Sequence, residues 1–282
     1  MKSILKKSFD IYKRNFTKIV IISLLIWIPL AAINAFILNP ALDIEYITEI
    51  FNKASTADGA ELYADEAYAA SKTFLIYTGA SLLLSIIGII AKIAFIKFTA
   101  RSYSKTESEF ITVDKSEYTI NDCMDESLKK YPKVIWALVL NYLLILCGIM
   151  LCFLPGIFIT FMSAFTITAV VLSGIKGMNA VRYSIVLTKR KLFATVTSLA
   201  VFYMASYFIN EVVNLLLDKF TLGTIPDGII SILITCIIEI LFAFQTVFFT
   251  VLYLETEKTI PEEIKNSFNT SRDTDTNREE GL

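Results

Sequence analysis

The sequence predicts an all-α integral membrane protein with six transmembrane helices, and its basic segments suggest three repeats of an interfacial helix followed by a helix pair. Three observations carry this. Apolar residues make up 55% of the 282 residues and the mean hydropathy is +0.61, above the ordinary soluble range. They gather in runs near the roughly 20 residues that a helix needs to cross a hydrocarbon core about 30 Å thick. Lysine and arginine collect beside alternate ends of those runs.

The first run extends from Ile19 to Leu38, and its Pro29 kinks a membrane helix without ending it. The second extends from Phe74 to Phe95. The third, Val134 to Phe153, meets the fourth, Ile157 to Leu172, at Leu154-Pro155-Gly156, which favours a tight turn and makes the pair a helical hairpin. The fifth covers Phe193 to Leu216 and the sixth Ile229 to Tyr253, with the turn-rich Gly223-Thr224-Ile225-Pro226-Asp227-Gly228 between them. Six passes put both termini on one side.

Lys2, Lys6, Lys7, Lys13, Arg14 and Lys18 flank the first run, and Lys176, Arg182, Lys189, Arg190 and Lys191 separate the fourth from the fifth without an acid. Both segments belong in the cytoplasm, because basic flanks resist translocation. The segment 39–72 carries Asp43, Glu45, Glu49, Asp58, Glu61, Asp65 and Glu66 against Lys53 and Lys72, which fits the outside. The first run is read as an anchor and not a cleaved signal peptide, being longer than the usual roughly 7–15 apolar residues and lacking a small-residue cleavage site. Cys123 falls in a loop and Cys147, Cys152 and Cys236 in spans. Without CxxC spacing, packing is the default for all four.

The polar stretches have shape too. Residues 1–18 place Ile4, Leu5, Phe9, Ile11, Tyr12 and Phe16 on one side of a helical wheel, as in a helix lying in the membrane interface. Residues 173–192 repeat the pattern. Ser8 and Ser184 each precede a basic cluster and an aromatic residue, and Ser127-Leu128-Lys129-Lys130-Tyr131-Pro132-Lys133 is a weaker copy. Three units follow, the acidic segment 39–72 being inserted in the first pair, 19–98. The plainer alternative is that basic residues precede any inward helix end. Residues 99–133 form a cytoplasmic loop and helix, with a small hairpin over Glu109–Tyr118 and Asn121 and Asp122 as caps. Residues 134–172 are the hairpin and 193–254 the third pair. The tail 255–282 has too little apolar surface to fold alone, and disorder is expected beyond Phe268.

Leu154-Pro155-Gly156-Ile157, Ser173-Gly174 and Ala180-Val181-Arg182-Tyr183-Ser184-Ile185-Val186-Leu187-Thr188-Lys189, with the opening Leu5 to Phe16, resemble the membrane-domain family attached to some bacterial glycerophosphoryl diester phosphodiesterases. That family also occurs as stand-alone membrane proteins, and the likeness covers the chain up to its tail. It implies a bacterial cytoplasmic membrane. This sequence departs from the pattern at Ser173, where the family often has a glutamate, and at Arg190, where it often has a glycine. The phosphodiesterase activity belongs to a separate soluble barrel whose site, the resemblance implies, uses histidines.

This chain contains no histidine, so neutral-pH histidine catalysis is excluded, and the acidic segment lacks the carboxylate spacing of a metal site. The expectation is a non-enzyme without cofactor. Ionisable residues inside the membrane are costly and mark candidate sites. Glu239 stands in the middle of the sixth span, with Gln245 beyond it, Asn141 in the third span and Asn210 in the fifth. Lys92, Glu211 and Asn214 lie nearer span ends, where snorkelling or hydration accounts for them. A protonated structural carboxyl is the plain reading of Glu239, since desolvation favours the neutral form. Gly79, Ser81, Ser85 and Gly88, and Ser163, Ala164 and Ala169, permit close helix approach.

Two functions remain. The first is a non-enzymatic scaffold or accessory protein in lipid or envelope processes. Its partners are the bilayer, another membrane protein, or anionic lipids met by Lys13, Arg14, Arg182, Lys189, Arg190 and Lys191. The second is a small permease using Glu239, which calls for paired broken helices that the sequence does not display. Nucleic acid is excluded, because the basic residues hug helix ends.

Overall fold

The computed structural model describes residues 1–38, 44–55, 63–107, 120–151, 153–219 and 224–270. Among these the chain is all α, and six helices are long and apolar enough to cross a membrane: Phe16–Leu38, Ala64–Ser104, Ile120–Leu151, Leu154–Ser173, Leu192–Val212 and Ile232–Glu257. Leu75, Met150 and Phe193 turn their side chains outward, as expected where the surrounding solvent is lipid. Thr78, Ser85 and Thr250 return their hydroxyls to the carbonyl one turn back, which satisfies a polar group inside an apolar helix.

Helix α1 (Lys2–Arg14) leads into α2 (Phe16–Ile33), which runs through Pro29 and continues as a π-helical stretch, Asn34–Leu38. Then come α3 (Ile44–Ala54), α4 (Ala64–Glu107), α5 (Ile120–Leu151) and α6 (Phe153–Met162). The fourth span is completed by a single turn, Thr166–Thr168, and π-helical Ala169–Ser173. Helices α7 (Gly177–Arg190), α8 (Leu192–Lys219), α9 (Thr224–Glu257) and α10 (Glu262–Thr270) follow.

The chain divides into two compact units, Met1–Ile22 with Ile90–Glu211 and Ile240–Leu282, and Ser23–Ile89 with Val212–Glu239. In the second unit α3 lays Ile47 and Ile50 against Ala70 of α4, and Lys53 pairs with Glu49 at 2.5 Å while sitting over the Tyr63 ring. Gly88 makes room for Trp27, since a Cβ there would stand 2.6 Å from the indole. A Cβ at Gly79 would meet nothing within 4 Å among the described residues.

In the first unit, Gly148 of α5 faces Gly156 of α6. A Cβ on Gly148 would lie 3.0 Å from the Gly156 Cα, and one on Gly156 would lie 2.9 Å from the Ile149 nitrogen. The hairpin therefore closes backbone to backbone.

Three segments at one end of this unit each bridge two spans. Helix α1 reaches α4 through Asn15 Nδ2 to Ser102 Oγ, 2.7 Å, and α9 through Lys7 to Glu255, 2.5 Å, and Tyr12 OH to the Ile240 carbonyl, 2.8 Å. The start of α5 reaches α4 through Glu126 to Lys97, 2.7 Å, and the end of the fourth span through Lys130 to the Val171 carbonyl. Helix α7 reaches the fourth span through Ser184 and Thr188 to the Met162 carbonyl, and α9 through Tyr183 to Glu257. The three bridges close a ring. Ser8, Ser127 and Ser184, the serines of the sequence pattern, are each fully buried in it.

Several expectations are corrected. Leu154-Pro155-Gly156 opens α6 instead of forming the turn, because proline is at home in a first helical turn. Thr224 to Gly228 likewise begin α9. Cys123 is a buried helical residue, with Asn121 and Asp122 in the same first turn, and Cys147 is exposed on α5, so it packs against nothing inside. Helix α7 buries Ala180, Val181, Tyr183 and Leu187, its apolar face packing on α5 and the fourth span. In α1, Ile11 is buried but Leu5 and Phe9 point outward, so the apolar residues divide between two faces. Residues 255–270 are not a disordered tail: α9 runs to Glu257, and α10 is held by Phe268 on the Tyr183 ring, 5.5 Å, and by Lys265 on Glu257, 3.0 Å. Residues 109–118, Gly223 and residues 271–282 lie outside the described residues.

Candidate functional site

The ring of bridges holds three polar junctions, each built around a carboxylate. At the first, Glu255 Oε1 takes Lys7 Nζ at 2.5 Å and Tyr103 OH at 2.7 Å, and Lys258 Nζ donates to the Tyr103 hydroxyl at 2.8 Å while lying 4.7 Å from that ring's centre. Tyr12, anchored beside Phe244, has its phenol pushed up by burial, so it stays a donor to the Ile240 carbonyl.

At the second, Glu126 is shared between Lys97 at 2.7 Å and Arg101 at 3.2 Å. Lys130, one turn beyond Glu126 on α5, donates to the Val171 carbonyl of the fourth span. Cys123 Sγ faces the Ala94 carbonyl at 3.6 Å, which seats α5 on α4.

At the third, one oxygen of Glu257 collects Ser173 Oγ at 2.7 Å, the Tyr183 and Tyr253 hydroxyls at 3.3 Å each, and Lys265 Nζ at 3.0 Å. Burial, then the Glu257 carboxylate, holds the Tyr183 phenol well above the usual tyrosine range. Ser173, where the sequence departs from the family pattern, thus touches a carboxylate supplied by the sixth span.

The fourth span is interrupted at Ser163–Phe165, and α7 repairs the break. Ser184 Oγ donates to the Met162 carbonyl at 3.0 Å and accepts the Phe165 N–H at 2.9 Å, and Thr188 donates to the same carbonyl at 3.2 Å. Backbone groups released inside a membrane need such partners.

The intramembrane candidates fall in both units. Glu239 belongs to the second unit and is half-buried, whereas Asn141, Gln245 and Asn210 belong to the first. Asn141 is buried on α5, and its Oδ1, like Thr166 Oγ1 and Thr195 Oγ1, has no hydrogen-bond partner among the described residues. Gln245 is half-buried. Asn210 is exposed and donates to the Ser206 carbonyl of its own helix. Of the basic candidates, Lys13, Arg14, Arg182, Lys189 and Arg190 are exposed and Lys191 is half-buried, with Arg190 also capping the Thr259 carbonyl at 3.2 Å.

Sequence reasoning missed Glu126, Glu255, Glu257, Lys97 and Lys130. A signal was present: two acids spaced by one residue end the sixth span, at the end where the positive-inside rule leads one to expect bases. Compared with known proteins, the chain matches no family model, no curated protein and no solved structure.

Proposed function

We propose that this chain is a non-enzymatic scaffold or accessory protein that holds its basic end against anionic lipid headgroups, or against a membrane partner, in lipid or envelope processes. One observation carries the reading: α1 and α7, which bear exposed Lys13, Arg14, Arg182, Lys189 and Arg190, are both fastened to the last turns of α9, through Glu255 and Glu257. The cations therefore stand on a fixed frame. Each well-placed one contributes about 1 kcal/mol toward an anionic surface. By the positive-inside rule this end and both termini face the cytoplasm, and the resemblance to the phosphodiesterase-associated membrane family favours a bacterial cytoplasmic membrane.

The test is the melting temperature in nanodiscs of phosphatidylglycerol against phosphatidylcholine. The expected outcome is a higher value in phosphatidylglycerol, and loss of most of that difference when the five cations are changed to glutamine. No dependence on lipid charge would end this reading.

The interruption at Ser163–Phe165 favours a second reading, a small permease with Glu239 as its proton-coupling group, because broken spans accompany substrate sites in transporters. Proton-linked solute flux in proteoliposomes that disappears in Glu239→Gln would replace the scaffold with the permease.

A further inference from the structure

A threonine inside an apolar helix ordinarily returns its hydroxyl to the carbonyl one turn back, as Thr78 and Thr250 do. Thr166 has no such recourse. The carbonyl one turn back from it is that of Met162, and Ser184 and Thr188 of α7 already donate to that oxygen at 3.0 and 3.2 Å. Thr166 is 1% exposed, and its Oγ1 has no hydrogen-bond partner among the described residues. The break also frees a main-chain oxygen. The Ser163 carbonyl takes the Thr166 N–H at 3.0 Å and the Phe165 carbonyl takes the Ala169 N–H at 2.8 Å, but the Ala164 carbonyl between them accepts nothing among the described residues.

The third group comes from α5. Gly148 meets Gly156 at one level and Lys130 reaches the Val171 carbonyl at another, so α5 runs antiparallel beside the fourth span from its start to its end. Asn141 stands between those two levels, opposite the start of the break. Seven residues are close to two full helical turns, so Asn141 shares the face that Gly148 turns toward Gly156. It is 8% exposed, and its Oδ1 is without a partner among the described residues.

Unmet acceptor oxygens are costly in the low-dielectric interior of a membrane. An amide oxygen and a carbonyl oxygen accept and do not donate, and a threonine hydroxyl turns either way, so a positive ligand satisfies all three together. The surroundings set its charge. The fourth span and α7 contain no carboxylate, and α5 has none beyond Glu126. Divalent cations ordinarily draw carboxylates into their shell, whereas a monovalent cation is held by neutral oxygens and by the negative end of a helix dipole. Helix α6 ends at Met162 and supplies that partial charge at the break.

We propose that the break at Ser163–Phe165 is a binding site for a monovalent cation, held by Thr166 Oγ1, the Ala164 carbonyl and Asn141 Oδ1. An ion there fastens α5 to the interrupted span. The site depends on neither the scaffold nor the permease reading, and its failure leaves both intact.

The probe is sodium or potassium itself. Thermal unfolding of the full chain in nanodiscs is followed in sodium or potassium chloride against choline chloride at equal ionic strength. The expected result is a melting temperature that rises saturably with one of the two metal ions and not with choline, because a ligand bound to the folded state alone stabilises it by mass action. Thr166→Val and Asn141→Leu nearly keep volume and remove an oxygen. Each should weaken the ion response roughly tenfold or more. In choline chloride each should melt no lower than the parent, since a buried oxygen without a partner has been taken away. A parent melting temperature equal in all three salts overturns the site, and variants that then melt higher in every salt assign the oxygens to ordered water. An ion response that both variants retain unchanged also overturns it. If one variant does not fold, the other is read by the same criteria.

Discussion

The Phe165 backbone N–H donates to Ser184 Oγ at 2.9 Å, while the same hydroxyl donates to the Met162 carbonyl at 3.0 Å, so one side chain on α7 spans the break in the fourth transmembrane segment. Ser184→Ala leaves a buried amide unpaired, which costs about 1–3 kcal/mol. Thermal unfolding in detergent should show a clear loss for this variant. Ser206→Ala, whose hydroxyl only returns to the Phe202 carbonyl of its own helix, should differ little from the parent. Equal losses in the two variants would deny Ser184 this role.

The α5–α6 hairpin predicts a contrast among glycines. Gly148→Ala and Gly156→Ala should lower the melting temperature, because each added Cβ meets an isoleucine side chain and, at 3.0 and 2.9 Å, main-chain atoms that cannot turn aside. Gly79→Ala meets open space within a helix and should be neutral or stabilising by up to about 1 kcal/mol. A melting temperature unchanged in both hairpin variants would show that the two helices do not approach this closely.

Tyr183 gives the protein an alkaline limit. Its folded pKa is raised above the unfolded value of about 10, so its contribution is complete below pH 10 and declines as pH rises toward the folded value. The stability gap between the parent and Tyr183→Phe should shrink from pH 9 to pH 11. A constant gap would mean that Tyr183 is not held protonated by burial beside Glu257.

Helix α10 is predicted to open when its ring contact is removed. Phe268→Ala forfeits an edge-on pair with Tyr183 worth about 0.5–1.5 kcal/mol, which raises the open population roughly two- to tenfold. Tryptic cleavage after Lys258 or Lys265, followed by mass spectrometry, reads this directly. Unaltered cleavage would place the hold on α10 elsewhere.

The spans were legible because lipid demands long apolar runs, and such runs survive averaging. The break at Ser163–Phe165 was not, because Ser163, Ala164 and Phe165 include neither proline nor glycine, and what tolerates the break is a hydroxyl 19 residues away. Gly148 escaped notice for the opposite reason, since one glycine in an apolar run announces nothing until its partner Gly156 is opposite it. The serines of the basic segments were legible through their recurrence, and all three are buried. Their acidic partners were not, because Glu255 and Glu257 open a stretch whose composition reads as solvated tail. Glu239 and Asn141 were each visible as costly polar groups, but the sequence does not tell that they fall in separate units.

The pairing of Lys7 with Glu255 spans 248 residues, nearly the whole chain. A ribosome adding about 5–20 residues per second needs roughly 12–50 s to travel between them. During that interval the first helix has been made and its clasp has not. The outward Leu5 and Phe9 give it somewhere to wait, at the membrane surface, until the last span arrives and fastens it. Assembly of the basic end is thus a late event in biosynthesis, and a chain stalled before its sixth span carries a first helix that can meet α4 through Ser102 but lacks its clasp on α9.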